Sequence, residues 1–225
     1  MIRVKEIPII FSTPMIRAIF EGRKMQTRRV IKPQPTNRPR WNCIGFLGWD
    51  DGHGYEIKCP YGPVGTTLWV RETTFLYGRW AKNGLAKSGK QKWKFIWDKS
   101  KPVLYMDCPP DDIKRLKTDV GYFKRPSIHM PHEACRLRLE ITDIKPERLQ
   151  DISEEDAMAE GITSYWAEPH RDDAPFIGAA KELGADLCFT RRKAFQQLWD
   201  SINAKRGHGW DKNDWVWAIL FEMKG

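Results

Sequence analysis

Within the run Gly22-Arg-Lys-Met-Gln-Thr-Arg-Arg, an amine (Lys24), a hydroxyl (Thr27) and a guanidinium (Arg29) fall close together. On a regular strand the two-residue period puts Thr27 and Arg29 on one face, with Gln26 and Arg28 on the other. A hydroxyl beside a lysine and an arginine is equipped as a nucleophile or water-orienting group, with a base and an anion stabiliser at hand. The same run also reads as an exposed basic strand with an unremarkable threonine. Either way, a helix must stop at Gly22 and a strand must begin before Thr27.

The flanking sequence predicts that arrangement. Residues 6–11 read as a strand, and Ser12-Thr13-Pro14 opens a helix with a capping hydroxyl and an early proline. Ile16, Ile19 and Phe20 form its apolar stripe, and Gly22 is its stop. Pro33, Pro35 and Pro39 forbid continuation in a sheet, which opens a first excursion over residues 33–64. Residues 67–73 read as a strand, and residues 92–97 and 102–106 as a hairpin inside a second excursion, 77–125. Leu137, Leu139 and Ile141 alternate with Arg136, Arg138 and Glu140, the pattern of a half-buried strand. Ser153 caps a short helix with Asp156 at the reciprocal position, ending near Gly161. A third excursion spans 162–189. Phe195, Leu198, Trp199 and Ile202 then mark an amphipathic helix over 190–203, and residues 215–222 form a closing strand. The fold class expected is α+β, one domain over residues 1–225, built on a small curled sheet with helices at its ends and three long loop insertions.

The formal net charge is +9, unevenly distributed. Residues 22–40 and 77–101 together carry +14, so the remainder of the chain sums to −5. The second stretch interleaves Lys92 and Lys94 with Trp93, Phe95 and Trp97, a composition suited to phosphates and bases. The alternative is a solvated basic hairpin whose rings pack inward. Hydrophobic residues at 41% exclude a mostly disordered chain, and the longest apolar runs are far short of the ~20 residues that cross a bilayer. No membrane partner is expected. The first residues carry no secretory h-region, which points to the cytoplasm. Five scattered cysteines with no C-x-x-C pair read as reduced thiols.

The spacing Gly22-x-Lys24-x-x-Thr27-x-Arg29, after a strand and Pro-Met-Ile-Arg-Ala-Ile-Phe-Glu, resembles the ASCH domain, a branch of the PUA-like superfamily whose signature is G-x-K-x-x-E-x-R. Residues 13–35, 65–73, 126–131, 148–162 and 210–222 resemble, in order, ASCH proteins common in bacteriophage and prophage genomes. The resemblance skips the three excursions and implies a PUA-like curled β-barrel. Thr27 stands where the general signature has Glu, so that acid's role is not carried over. The small bacterial N4-acetylcytidine amidohydrolases are similar here, with Gly-Arg-Lys-x-x-Thr-x-Arg. By position, Lys24 and Thr27 match that subgroup's catalytic Lys and Thr, and Glu160, counted from the capping serine, holds the place of its catalytic Glu. The resemblance therefore implies a hydrolase that binds RNA or a modified nucleoside and removes an acyl group from the exocyclic amine of cytidine. A non-catalytic RNA-binding module, a ribonuclease of phage origin and a phage protein whose basic hairpin binds a host factor are the alternatives.

Residues around this motif complete the candidate site. The run Arg125-Pro-Ser127-Ile-His129-Met-Pro precedes the alternating strand and is expected to line the cleft. Trp69 and Arg71 share one face of their strand for stacking and phosphate contact, while Glu72 lies on the other. No cofactor is expected. Cys43, His53 and Cys59, and the spacing His129-x-x-His132-x-x-Cys135, have ligand-type residues but neither the paired C-x-x-C nor the H-E-x-x-H form, so no metal is assigned and a structural zinc in the first excursion remains the alternative.

Overall fold

A computed structural model of the chain describes residues 6–43, 48–162 and 190–224. The class is α+β, mostly strands with few short helices. The main sheet has five strands: β1 (Ile7–Ile10), β2 (Gln26–Val30), β6 (Thr67–Arg71), β12 (Arg138–Arg148) and β13 (Trp215–Met223), in the order β1-β6-β12-β13-β2. Only β1 and β6 pair in parallel; the other neighbours are antiparallel.

The barrel expected from the sequence is not closed: among the described residues β1 and β2 are free edges of the main sheet. They are joined by one side chain, the Arg29 guanidinium donating to the Ile10 carbonyl at 2.9 Å. Helix α1 (Thr13–Phe20) connects them.

Alternation along β13 divides the core. Trp215, Trp217, Ile219 and Phe221 pack with Ile9, Phe11, Ile16, Ile19, Leu68 and Leu139 on one face. Val216 packs on the other with Leu149, Ala157, Phe195 and Trp199, from α2 (Glu154–Ala159), α3 (Arg191–Asn203) and their approaches. Phe20, expected in the apolar stripe of α1, is 45% exposed at the end of the helix, with the Arg136 guanidinium over its ring.

Two of the expected loop insertions carry sheets instead. Residues 33–64 hold β3 (Arg40–Asn42), β4 (Gly48–Asp50) and β5 (Glu56–Ile57), a three-stranded meander. Residues 77–125 hold most of a second sheet, built on β7 (Thr74–Leu85) with β8 (Gln91–Trp97), β9 (Leu104–Tyr105), β10 (Ile113–Lys114) and β11 (Val120–Arg125). The hairpin is β7–β8, not the pairing of residues 92–97 with 102–106. β9 resumes the line of β8 along the same edge of β7, with Thr74 opposite Tyr105. The long β7 offers its whole edge to both segments, and the intervening Asp98 folds into a local turn with Ser100. The third insertion lies, from residue 163, outside the described residues. No helix among those described is long and apolar enough to cross a membrane.

Candidate functional site

Three local structures converge on Lys24. Helix α1 ends with Gly22 at φ +69°, a left-handed turn that glycine adopts without a Cβ penalty, and the Lys24 amide then donates back to the Ala18 carbonyl. Helix α2 starts from a capping box in which the Ser153 hydroxyl accepts from the Asp156 amide at 3.0 Å. It stops at Gly161, φ +89°, whose amide reaches the Met158 carbonyl while that of Ile162 reaches Ala157, a Schellman ending that presents Glu160. Lys24 and Glu160 then pair as an isolated antiparallel bridge, and the Met25 amide donates to Ala159.

Lys24 is 2% exposed and its ammonium donates to three oxygens: the Gln26 carbonyl at 2.8 Å, the Glu160 carbonyl at 2.8 Å and Glu160 Oε2 at 2.7 Å. Burial pushes its pKa down from the ordinary lysine value; the Glu160 carboxylate opposes this, and the nearby Arg29 and Arg28 charges add to it. Glu160, 6% exposed, offers its other oxygen to Arg28 Nη1 at 3.2 Å. Arg28 also reaches Glu147 at 2.6 Å and Asp156 at 3.1 Å, lies over the Phe195 ring, and Gln26 donates to Asp156 at 3.1 Å. Burial raises the Asp156 carboxyl, but the Gln26 hydrogen bond and the Arg28 charge outweigh it and hold its pKa below the usual range.

Strand β2 divides these groups as its alternation predicts. Arg28 sits opposite Ala218 and faces α2 and α3, whereas Thr27 sits opposite Ile219, on the face of the main core. Arg29, on the Thr27 face, lies over the Phe11 ring at 5.4 Å, and Lys24 Nζ approaches the same ring at 5.6 Å. Thr27 is 5% exposed and shares no hydrogen bond with Lys24 or Glu160. Of the three candidate catalytic residues, two are therefore in direct contact, and the third, on β2 and facing the main core, makes no hydrogen bond to either. Arg28 is the residue that sequence reasoning missed. Its face was legible from alternation, but that α2 would bring Asp156 and Glu160, and β12 Glu147, to that face was not.

The remaining candidates form separate groups. Arg71 Nε donates to the Ser127 carbonyl at 3.0 Å, another of its nitrogens reaches the Ile128 carbonyl, and its guanidinium covers Trp69 at 5.3 Å. His132, not His129, packs edge-on against Trp69 at 5.0 Å and contacts Glu6 at 2.5 Å; His129 is exposed. Glu72 is 2% exposed and binds Arg136 through both oxygens at 2.9 Å, so it is not open to a base edge. Arg125 lies between the Trp80 and Phe95 rings at 4.9 and 4.8 Å, and burial pushes its pKa down. Lys92 and Lys94 are exposed, while the alternating Trp93, Phe95 and Trp97 turn inward. Cations and rings of β8 are thus on opposite faces.

A cleft of about 550 Å³, lined by Ile31, Pro33, Gln34, Tyr55, Ile57 and Lys58 among others, contains none of the candidate catalytic residues. Cys43, His53 and Cys59 do not assemble as ligands, and among the described residues no group of three or more His, Cys, Asp or Glu side chains is arranged to hold a metal ion. No family model, curated protein or solved structure matches the chain.

Proposed function

We propose that the chain is an ASCH-type, PUA-like amidohydrolase that removes an acyl group from the exocyclic amine of cytidine, free or within RNA, using Lys24, Thr27 and Glu160. The observation that carries the reading is the buried contact of 2.7 Å between Lys24 Nζ and Glu160 Oε2, with Lys24 three residues before the buried Thr27 in the chain. A proton passing along it from nitrogen to oxygen converts ammonium and carboxylate into a neutral amine and a carboxylic acid, an outcome favoured by a lysine whose pKa burial has lowered. The amine takes a proton from Thr27 or from water, and the activated oxygen adds to the acyl carbon. Glu160 protonates the exocyclic nitrogen as the C–N bond breaks. If Thr27 attacks, water then cleaves the acyl-threonine ester, and in either case one water is consumed to give cytidine and a carboxylic acid. Met25 and Met158, 53% and 50% exposed on the two elements of the seam, offer apolar surface for the base.

A binding module is the second reading, favoured by the fact that all three N–H groups of Lys24 already have acceptors. Hydrolysis of N4-acetylcytidine, free and in a short RNA, followed by chromatography of released cytidine, separates the two. Turnover by wild type that falls at least a hundredfold in Thr27→Ala, with an unchanged melting temperature, supports the hydrolase. Absence of turnover on both substrates sinks it.

A further inference from the structure

The outer face of the second sheet carries the candidate binding residues Lys92 and Lys94. Its register places Lys124, Tyr122 and Val120 of β11 opposite Phe75, Tyr77 and Arg79 of β7, and places Ile96 and Lys94 of β8 opposite Arg79 and Ala81. With Lys92 two residues further along β8, these side chains share one face, because alternation sends their neighbours Leu76, Trp80, Phe95, Trp97 and Phe123 to the other. That other face is packed: Phe95 meets Trp80 and Phe123, and Leu76 packs with Met130, Ala134 and Trp97.

Arg79, Lys92, Lys94 and Lys124 are all exposed, and none forms an ion pair with a described residue. No strand position of this face is acidic. Asp98, the next acid along β8, is engaged by the amide and hydroxyl of Ser100 at 3.0 and 2.7 Å. Surface cations elsewhere do find acids, as in Lys58–Glu56, Lys114–Asp112 and Lys224–Glu140. Exposed apolar side chains share the face beside Arg79, whereas Phe75, opposite Lys124, is buried. Ile96 is 40% exposed and Val120 56%, and both are cross-strand partners of Arg79.

We infer that this face binds the phosphodiester backbone of a single-stranded nucleic acid, with Arg79, Lys92, Lys94 and Lys124 on phosphates and Ile96 and Val120 against unstacked bases. Lys92 and Lys94 stand about 7 Å apart along the strand, forming a row of charge rather than a point. A duplex would bring phosphates to the cations but leave the apolar pair without partners, since its bases are stacked inside. Charge complementarity selects the polyanion and the apolar pair selects its unpaired form. The inference stands independently of the reaction proposed above.

The test uses the full-length protein and a fluorescent 12-nucleotide RNA without acyl groups, so failed hydrolysis and failed binding are separately visible. Four phosphate contacts give a log–log salt slope of about −2.8, or roughly fiftyfold weaker binding at 200 than at 50 mM salt. In Arg79→Gln/Lys94→Gln the slope falls to about −1.4, roughly sevenfold over the same range, while Lys205→Gln, an exposed cation beyond α3, keeps the wild-type slope. A DNA strand of the same sequence is expected to follow the same slope, since backbone phosphate is common to both. Far-ultraviolet circular dichroism checks that the double variant folds. An unchanged slope in the folded double variant, tighter binding to duplex than to single strand, or sedimentation with anionic phosphatidylserine vesicles but no oligonucleotide binding would each overturn the inference.

Discussion

Replacing Glu160 with glutamine tests whether Lys24 depends on that one carboxylate. The variant keeps an oxygen within reach of Nζ and keeps both backbone acceptors, but it removes the only carboxylate among the described residues that the ammonium touches. Arg28 retains Glu147 and Asp156, so the uncompensated charge falls on Lys24, which is 2% exposed. Removing one partner of a buried pair costs about 3–5 kcal/mol. A folded chain has about 5–15 kcal/mol to lose, so the variant should still fold and its deficit should be measurable by urea unfolding. The deficit should also depend on pH. In the folded chain Lys24 gives up its proton at lower pH than in the unfolded chain, so the unfolded state binds more protons from that folded value up to about 10.4, and stability rises with pH across the interval. Glu160 holds the folded value up, so in Glu160→Gln the rise begins at lower pH and the cost shrinks as pH increases. Adding Lys24→Met removes the stranded cation and should restore most of the loss, a non-additivity of about 2–3 kcal/mol. A single-variant loss below about 1 kcal/mol, with a pH profile parallel to wild type and simple additivity in the double variant, would refute the argument, because those are the properties of a solvent-screened pair.

Two further outcomes test the elements around the site. Gly161→Ala puts a Cβ at φ +89°, 3.1 Å from the Lys24 Cβ and 3.2 Å from that of Ala18; at about 1–2 kcal/mol for the left-handed residue, the melting temperature should drop by about 4 °C, and a change within 1 °C would remove the strain argument. Burial pushes the Cys59 thiol up to about 11, against the opposing Tyr61 backbone hydrogen bond, so iodoacetamide at pH 8 should alkylate the exposed Cys43 and Cys108 well before Cys59 until urea unfolds the chain; mass spectrometry showing equal rates in the folded protein would contradict the packing around Cys59.

The elements that carry the site were legible because their signals are local. Gly22 marks the end of α1, Ser153 and Asp156 mark the start of α2, and the Leu137, Leu139 and Ile141 alternation marks β12, though the strand proper runs over Arg138–Arg148. The second sheet was not legible, since β9 and β10 are two-residue strands whose partners are decided by the long edges of β7 and β11. The interleaving of cations and rings in β8 was visible in the sequence, but alternation separates them, and which face turns inward depends on Leu76, Phe123 and the segment carrying Met130. At the site, Lys24 and Thr27 stood out by spacing, whereas Glu160 came from the resemblance and Arg28 from neither. A helix-end acid and a strand arginine, 132 positions apart, become partners only once α2 lies against β2.

The distribution of carboxylates around Arg28 bears on whether a proton could leave Lys24 at all. Among the described residues Arg28 contacts three carboxylates, Glu147, Asp156 and Glu160, while Lys24 contacts one. If Glu160 were the only anion in the cluster, neutralising it would strand the Arg28 guanidinium, which has no exposed side-chain surface. With Glu147 and Asp156 in place, transfer from Nζ to Oε2 extinguishes the Lys24–Glu160 pair and leaves Arg28 matched. In the reaction proposed above, the redundancy on Arg28 would keep the guanidinium paired when Lys24 gives its proton to Glu160. Arg28 Nη1 donates to Oε1 and Lys24 Nζ to Oε2, so the two cations hold the carboxyl group by different oxygens.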